Sequence, residues 1–112
     1  MLKVQDQTPK YFKEQLIRSY TFKGPVTEWY CRIKTKLEDY YEPFHKLLPR
    51  EGSFYDLGCG YGFMTYMLHW AAPDRSFTGV DYDPEKIETA QGIFLRDERI
   101  TFMQGDVTNL HL

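Results

Sequence analysis

An α/β fold with a parallel sheet is predicted by three features of this 112-residue sequence. Apolar runs of strand length occur at 54–57, 76–80 and 99–103, and helical periods separate them. Each run ends at an acid: Asp56, Asp81 and Asp106. The first junction carries three glycines at alternate positions, Gly58, Gly60 and Gly62, immediately before a helical apolar pattern. Strand, helix, strand, helix, strand at this spacing implies a parallel sheet with right-handed crossovers.

The elements follow in order. Residues 1–7 are polar and expected to fray. Thr8 and Pro9 read as an N-cap and first helical position, opening a short helix to Ser19. Its apolar side is expected to carry Tyr11, Phe12, Leu16 and Ile17. Residues 21–24 form a break, and Pro25 starts the next helix. Val26, Trp29, Tyr30, Ile33, Leu37, Tyr40 and Tyr41 recur at three- and four-residue steps, continued by Phe44, Leu47 and Leu48. This stripe is expected to pack on the sheet, with Lys34, Lys36, Glu38 and Asp39 facing water. Pro43 should kink or restart the helix, and Pro49 and Gly52 close it. After the glycine loop a helix runs to Ala72 and stops at Pro73 and Asp74. Asp83 and Pro84 cap and start another helix, whose buried side should hold Ile87, Ala90, Ile93, Phe94 and Leu95.

Composition narrows the class. The length suits one small domain, and a net charge of −2 with pI near 5.9 gives no basic footprint for nucleic acid or membrane surfaces. No apolar run approaches a membrane span, and the N-terminus is too polar for a signal peptide. Two cysteines, Cys31 and Cys59, make no disulfide framework, so a reducing cytoplasm is expected. His45, His69 and His111 show no metal-ligand spacing, and no metal is assigned. Aromatics at 17% require a core, partner or ligand to cover them.

The glycine loop indicates the ligand. A residue without Cβ takes positive φ and lets a ligand lie against backbone. The following helix points free N–H groups at that ligand. Dinucleotide folds bring a pyrophosphate to such a turn, usually with G-x-G-x-x-G spacing. Here Asp56 stands two residues before the first glycine. Its carboxylate would repel pyrophosphate and attract a ligand carrying ammonium and sulfonium charges. The stretch Asp56, Gly58, Gly60, Gly62 resembles motif I of class I S-adenosylmethionine-dependent methyltransferases. Gly79-Val80-Asp81-Tyr82 resembles their motif II, and Gly105-Asp106-Val107 their segment after strand three.

The resemblance implies a Rossmann-like three-layer α/β domain with S-adenosyl-L-methionine as cofactor. Its implied contacts are Asp56, Gly58, Cys59, Gly60, Tyr61, Gly62, Asp81, Tyr82, Asp106 and Val107. Asp81 would accept from the ribose hydroxyls, and Tyr82 would lie against adenine. Asp106 would take the adenine amino group while the next N–H faces a ring nitrogen. Cys59 reads as a packing residue rather than a nucleophile, because no base or activated thiolate is indicated. Tyr11, Phe12, Tyr20 and Phe22 stand where the family often folds a lid, with core packing as the other reading.

The expected division is residues 1–52 as an N-terminal helical segment and 53–112 as the donor-binding half-domain. The expected function is the donor-binding part of a methyltransferase acting on a small molecule. Two alternatives are a nicotinamide-dependent oxidoreductase fragment and a non-catalytic nucleotide-binding or interaction module. The family's domain continues for further strands, so the chain is expected to be truncated after its third and inactive alone. Strand one should then be a sheet edge, with a dimer or larger assembly resulting. No catalytic residue is assigned.

Overall fold

The computed structural model describes residues 8–37 and 41–109. Residues 1–7 and Glu38, Asp39 and Tyr40 lie outside these, as does His111. The helices are α1 (Lys13–Ser19), α2 (Pro25–Leu37), α3 (Tyr41–Leu47), α4 (Phe63–Ala71) and α5 (Pro84–Gln91). The strands are β1 (Glu51–Leu57), β2 (Asp74–Asp81) and β3 (Ile100–Gln104). They form one parallel sheet in the order β1-β2-β3, which leaves β1 at an edge as the sequence implies.

Register and alternation sort the two faces. Phe54, Phe77 and Ile100 are neighbours across the strands and share the helix-covered face with Phe102. Tyr66 of α4 packs its ring on Phe102 at 5.5 Å and donates its hydroxyl to the Ala90 carbonyl of α5 at 2.6 Å. Leu16, Ile17 and Tyr20 complete this core from the N-terminal side. The opposite face carries the row Leu57, Val80, Met103. Val80 is fully buried between its neighbours, whereas Leu57, Met103 and nearby Tyr55 are about half exposed. The described residues therefore supply the sheet and one helical layer.

Arg75 was not anticipated as a structural residue. It alternates with Phe77 onto the helix-covered face and is 0% exposed. Its guanidinium donates to the carbonyls of His45, Leu48, Pro49 and Leu68 at 2.8–3.0 Å. It also meets His45 Nδ1 at 3.1 Å, where the ring nitrogen must accept. These carbonyls belong to the ends of α3 and α4, where helix dipoles favour a cation and backbone acceptors lack intrahelical partners.

Several local expectations are corrected. Thr8 precedes a 3-10 turn (Pro9–Phe12) without a side-chain cap bond, and Tyr11 is exposed. The break at 21–24 contains a second 3-10 turn, Thr21–Lys23. The stripe on α2 does not face the sheet: Val26, Trp29 and Leu37 are exposed, and Cys31 is the buried position. The sheet face is already occupied by α4 and α5, so α2 packs against α1 and the 21–23 turn instead. In α3 the buried residues are Tyr41 and His45, while Phe44 and Leu47 are exposed. Lys34, assigned to water, is half-buried. Helix α5 stops at Gln91, so Phe94 and Leu95 turn outward while Ile93 stays buried. The capping of α5 is as expected: Asp83 accepts from the Glu85 and Lys86 amides at 3.0 and 3.4 Å.

Replacing Arg75 by methionine keeps volume and strands buried carbonyls. The expected cost is about 3 kcal/mol or more, from several charge-assisted bonds lost together. Chemical denaturation of Arg75→Met tests this; a loss below about 1 kcal/mol would assign Arg75 a dispensable role.

Candidate functional site

The three strand ends converge on the glycine loop. The amides of Gly58 and Cys59 both donate to the Val80 carbonyl, at 2.7 and 3.0 Å, fastening the loop to the end of β2. Gly58, Gly60 and Gly62 have φ of 75°, 58° and 86°, a region that side chains with Cβ rarely occupy. They do different jobs. A Cβ on Gly62 would lie 2.8 Å from the Phe102 ring, so that glycine lets the loop settle on the core. A Cβ on Gly58 or Gly60 would meet nothing within 4 Å, so those positions border open space.

Asp81 ties the neighbouring segments together. Its Oδ2 accepts from the Gly60 amide at 2.9 Å, and its Oδ1 accepts from the Asp83 amide at 2.9 Å. Its carbonyl accepts from the Gly105 amide at 3.0 Å. One residue thus orients the glycine loop, the start of α5 and the exit of β3. Each carboxylate oxygen retains further acceptor capacity.

Two cavities flank Gly58. One, of about 330 Å³, is lined by Gly58, Asp81, Tyr82, Gly105, Asp106 and Val107. The other, of about 200 Å³, is lined by Asp56, Gly58 and Cys59 together with Lys34 and Tyr41 from the N-terminal helices. In the first, Tyr82 is 77% exposed and its ring is open to a ligand. Asp106 accepts from the Thr108 amide and hydroxyl at 2.9 and 2.6 Å, which fixes the loop after β3.

Not every residue singled out from sequence enters a cavity. Tyr61 turns inward, stacked on Phe63 at 5.6 Å and meeting Tyr30 edge-on at 5.7 Å. Its carbonyl accepts from the Tyr20 hydroxyl, and Lys86 Nζ lies 5.5 Å above its ring. Gly62 is covered by the core. Gly60 contributes its amide to Asp81 rather than lining either cavity. None of the four N-terminal aromatics lines either cavity: Tyr20 is buried, Phe12 packs near Trp70, Tyr11 is exposed, and the half-exposed Phe22 lies beside Gly92. Burial pushes the Cys59 thiol up to about 12, which keeps it protonated and supports packing over nucleophilic chemistry.

Sequence reasoning missed Thr65, Lys34 and Tyr41. Thr65 donates its hydroxyl to Asp56 Oδ2 at 2.5 Å. Its signal was available: a buried hydroxyl in the first turn after the loop, where an apolar residue would be expected. Lys34 and Tyr41 gave none, because their approach depends on how α2 and α3 fold back over the loop.

Asp56 titrates above the ordinary aspartate range. Burial is the main cause, nearby Asp81 adds to it, and the Thr65 hydroxyl opposes it. The charged form is therefore disfavoured by folding, so the carboxylate costs stability above its raised value. That cost disappears as pH falls through the raised value toward the unfolded one near ~3.9. Asp56→Asn should accordingly raise the melting temperature of the free protein at pH 7, and the gain should shrink on acidification. A lower melting temperature for Asp56→Asn at pH 7 would contradict this.

Comparison with known proteins agrees with this geometry. A family described as "Methyltransferase domain" matches residues 54–112, more than half of the chain. A malonyl-[acyl-carrier protein] O-methyltransferase from Anoxybacillus flavithermus is 39% identical over 57 residues, which cover 51% of this chain and 22% of that one. The chain thus spans about a fifth of that relative's length. A TehB-like S-adenosylmethionine-dependent methyltransferase from Corynebacterium glutamicum superposes with a TM-score of 0.58 at 21% identity, covering 74% of this chain and 44% of the other. Human N-acetylserotonin methyltransferase, solved with S-adenosylmethionine, gives 0.55 at 20% identity, covering 94% and 36%. With the glycine loop, the acids at the strand ends and the parallel sheet in hand, the chain belongs to the methyltransferase-domain family and has its Rossmann-like fold.

Proposed function

We propose that the two cavities joined at Gly58 hold S-adenosylmethionine for transfer of its methyl group to a small-molecule acceptor. The observation that carries this reading is the pair of carboxylates, Asp56 and Asp81, on either side of Gly58, with open space above Gly58 and Gly60. The adenosine end fits the larger cavity. There Asp81 accepts from the ribose hydroxyls, Tyr82 lies along adenine, and Asp106 with the Val107 amide matches the adenine edge. The amino-acid end fits the smaller cavity, its ammonium drawn to Asp56.

The chemistry asks little of these side chains. A lone pair on the acceptor forms the new bond to the methyl carbon while the S–CH₃ bond breaks. Its electrons return to sulfur and leave S-adenosylhomocysteine. The protein's contribution is to hold the sulfonium in place, exclude water and present one face of the methyl. A base is needed only for a weakly acidic acceptor such as a hydroxyl.

Calorimetry should show S-adenosylhomocysteine binding while NAD does not; tighter binding of NAD would overturn the proposal. Asp81→Ala should weaken S-adenosylhomocysteine by about 1.5–3 kcal/mol, the scale of a charge-assisted hydrogen bond, with the fold retained. Unchanged affinity in a folded variant would remove Asp81 from the ribose site. Gly60→Val should abolish binding, since a branched residue disfavours this φ and fills the open space. The exposed Tyr55, Leu57, Met103 and Trp29 support self-association as a dimer or larger assembly, and light scattering at micromolar concentration should detect it.

A further inference from the structure

The N-terminal helices enclose a further cavity, of about 150 Å³, whose polar lining is mainly cationic. Lys10 enters it from the first 3-10 turn, Lys13 from the start of α1 and Lys36 from the last turn of α2. Tyr41 of α3 and Met67 of α4, 5% and 2% exposed, give it an apolar side. It shares Tyr41 with the smaller cavity beside Gly58 and no other lining residue.

The charges of this lining do not balance. Among the described residues none of the three lysines makes an ion pair. Arg32, on the same helix as Lys36, instead has both Glu14 and Glu28 at 3.7 Å. Glu42, the acid of the lining, accepts from the Lys10 amide at 3.2 Å and so ties the 3-10 turn to α3. Three lysines against one glutamate leave the lining with a net charge of +2. Thr35 adds no donor, because its hydroxyl donates to the Cys31 carbonyl at 2.8 Å.

We propose that this cavity binds a small phosphate monoester, independently of the methyl-donor cavities. Such an ester carries a charge of about −1.5 to −2 at pH 7, which matches the lining. Lysine serves phosphate as a point charge on a flexible stem, so three stems from three elements can close on its oxygens. The carbon side of the ester meets Tyr41 and Met67. The volume is below the roughly 300–1,000 Å³ of ordinary small-molecule pockets, which suits a short-chain ester and excludes a nucleotide. A monocarboxylate leaves one positive charge uncompensated and gains less.

Amide chemical-shift titrations of the full chain at fixed ionic strength test this, with butyl phosphate, inorganic phosphate, butyrate and butanol as probes. Butyl phosphate should shift the amides of Lys10, Lys13, Lys36 and Glu42 saturably. It should bind more tightly than inorganic phosphate or butyrate, and butanol should shift none of them. Replacing Lys10, Lys13 and Lys36 together by glutamine should weaken butyl phosphate by about tenfold, the combined scale of three partly exposed charge contacts. Lys36→Gln alone, at an exposed position that folding does not need, should cost about two- to threefold. Lys46→Gln, an exposed position outside the cavity, should leave affinity unchanged. Butyrate binding as tightly as butyl phosphate, or shifts centred on Gly58 and Asp81, would overturn the proposal. Equal losses for Lys36→Gln and Lys46→Gln, or the absence of saturable shifts, would overturn it as well.

Discussion

The arrangement of the site depends on Asp81. Its two carboxylate oxygens and its carbonyl hold the amides of Gly60, Asp83 and Gly105, one from each segment that borders the larger cavity. A charged acceptor at the end of a parallel strand would ordinarily be solvated. Here most of its surface is covered, and its hydrogen bonds run to the backbone amides of three separate segments. Loop shape before any ligand arrives is thus encoded by the same residue that is proposed to receive the ribose. Such preorganisation lowers the ordering cost of binding.

Much of this was readable from sequence because its causes are local. Gly58, Gly60 and Gly62 announce a turn of positive φ, and Asp83 with Pro84 announces a helix start; neither depends on distant chain. Acids at strand ends follow from the topology once the strands are placed. The failures have one shared origin. The apolar recurrence from Val26 to Leu37 correctly indicated a helix, but period alone does not say which surface the helix meets. With α4 and α5 already against the sheet, α2 settles on α1, and its outer side carries Trp29 rather than Lys34. Arg75 was missed for a related reason. A lone basic residue in a strand reads as solvent-facing until carbonyls 26 to 30 residues earlier are brought to it.

The N-terminal residues consequently pack directly on the glycine loop. Tyr20 reaches the carbonyl of Tyr61, Tyr30 abuts its ring, and Phe63 stacks beneath it. Aromatic packing of this kind adds modest energy per pair beyond burial. Its larger effect is positional: it fixes the glycine loop from the side opposite Asp81. The loop is therefore clamped between a polar tie on the ligand side and an aromatic tie on the core side.

The buried guanidinium of Arg75 also imposes an order on assembly. The carbonyls of His45, Leu48 and Pro49 are without this donor until residue 75 has been synthesised and β2 has paired with β1. Chain leaving the ribosome N-terminal end first would carry α3 for some 26 to 30 residues before Arg75 reaches its end, where Arg50 is the nearer donor to the His45 carbonyl at 2.8 Å. Local helix formation is fast but short helices are marginal alone. Capping of the α3 end by Arg75 thus accompanies completion of the sheet.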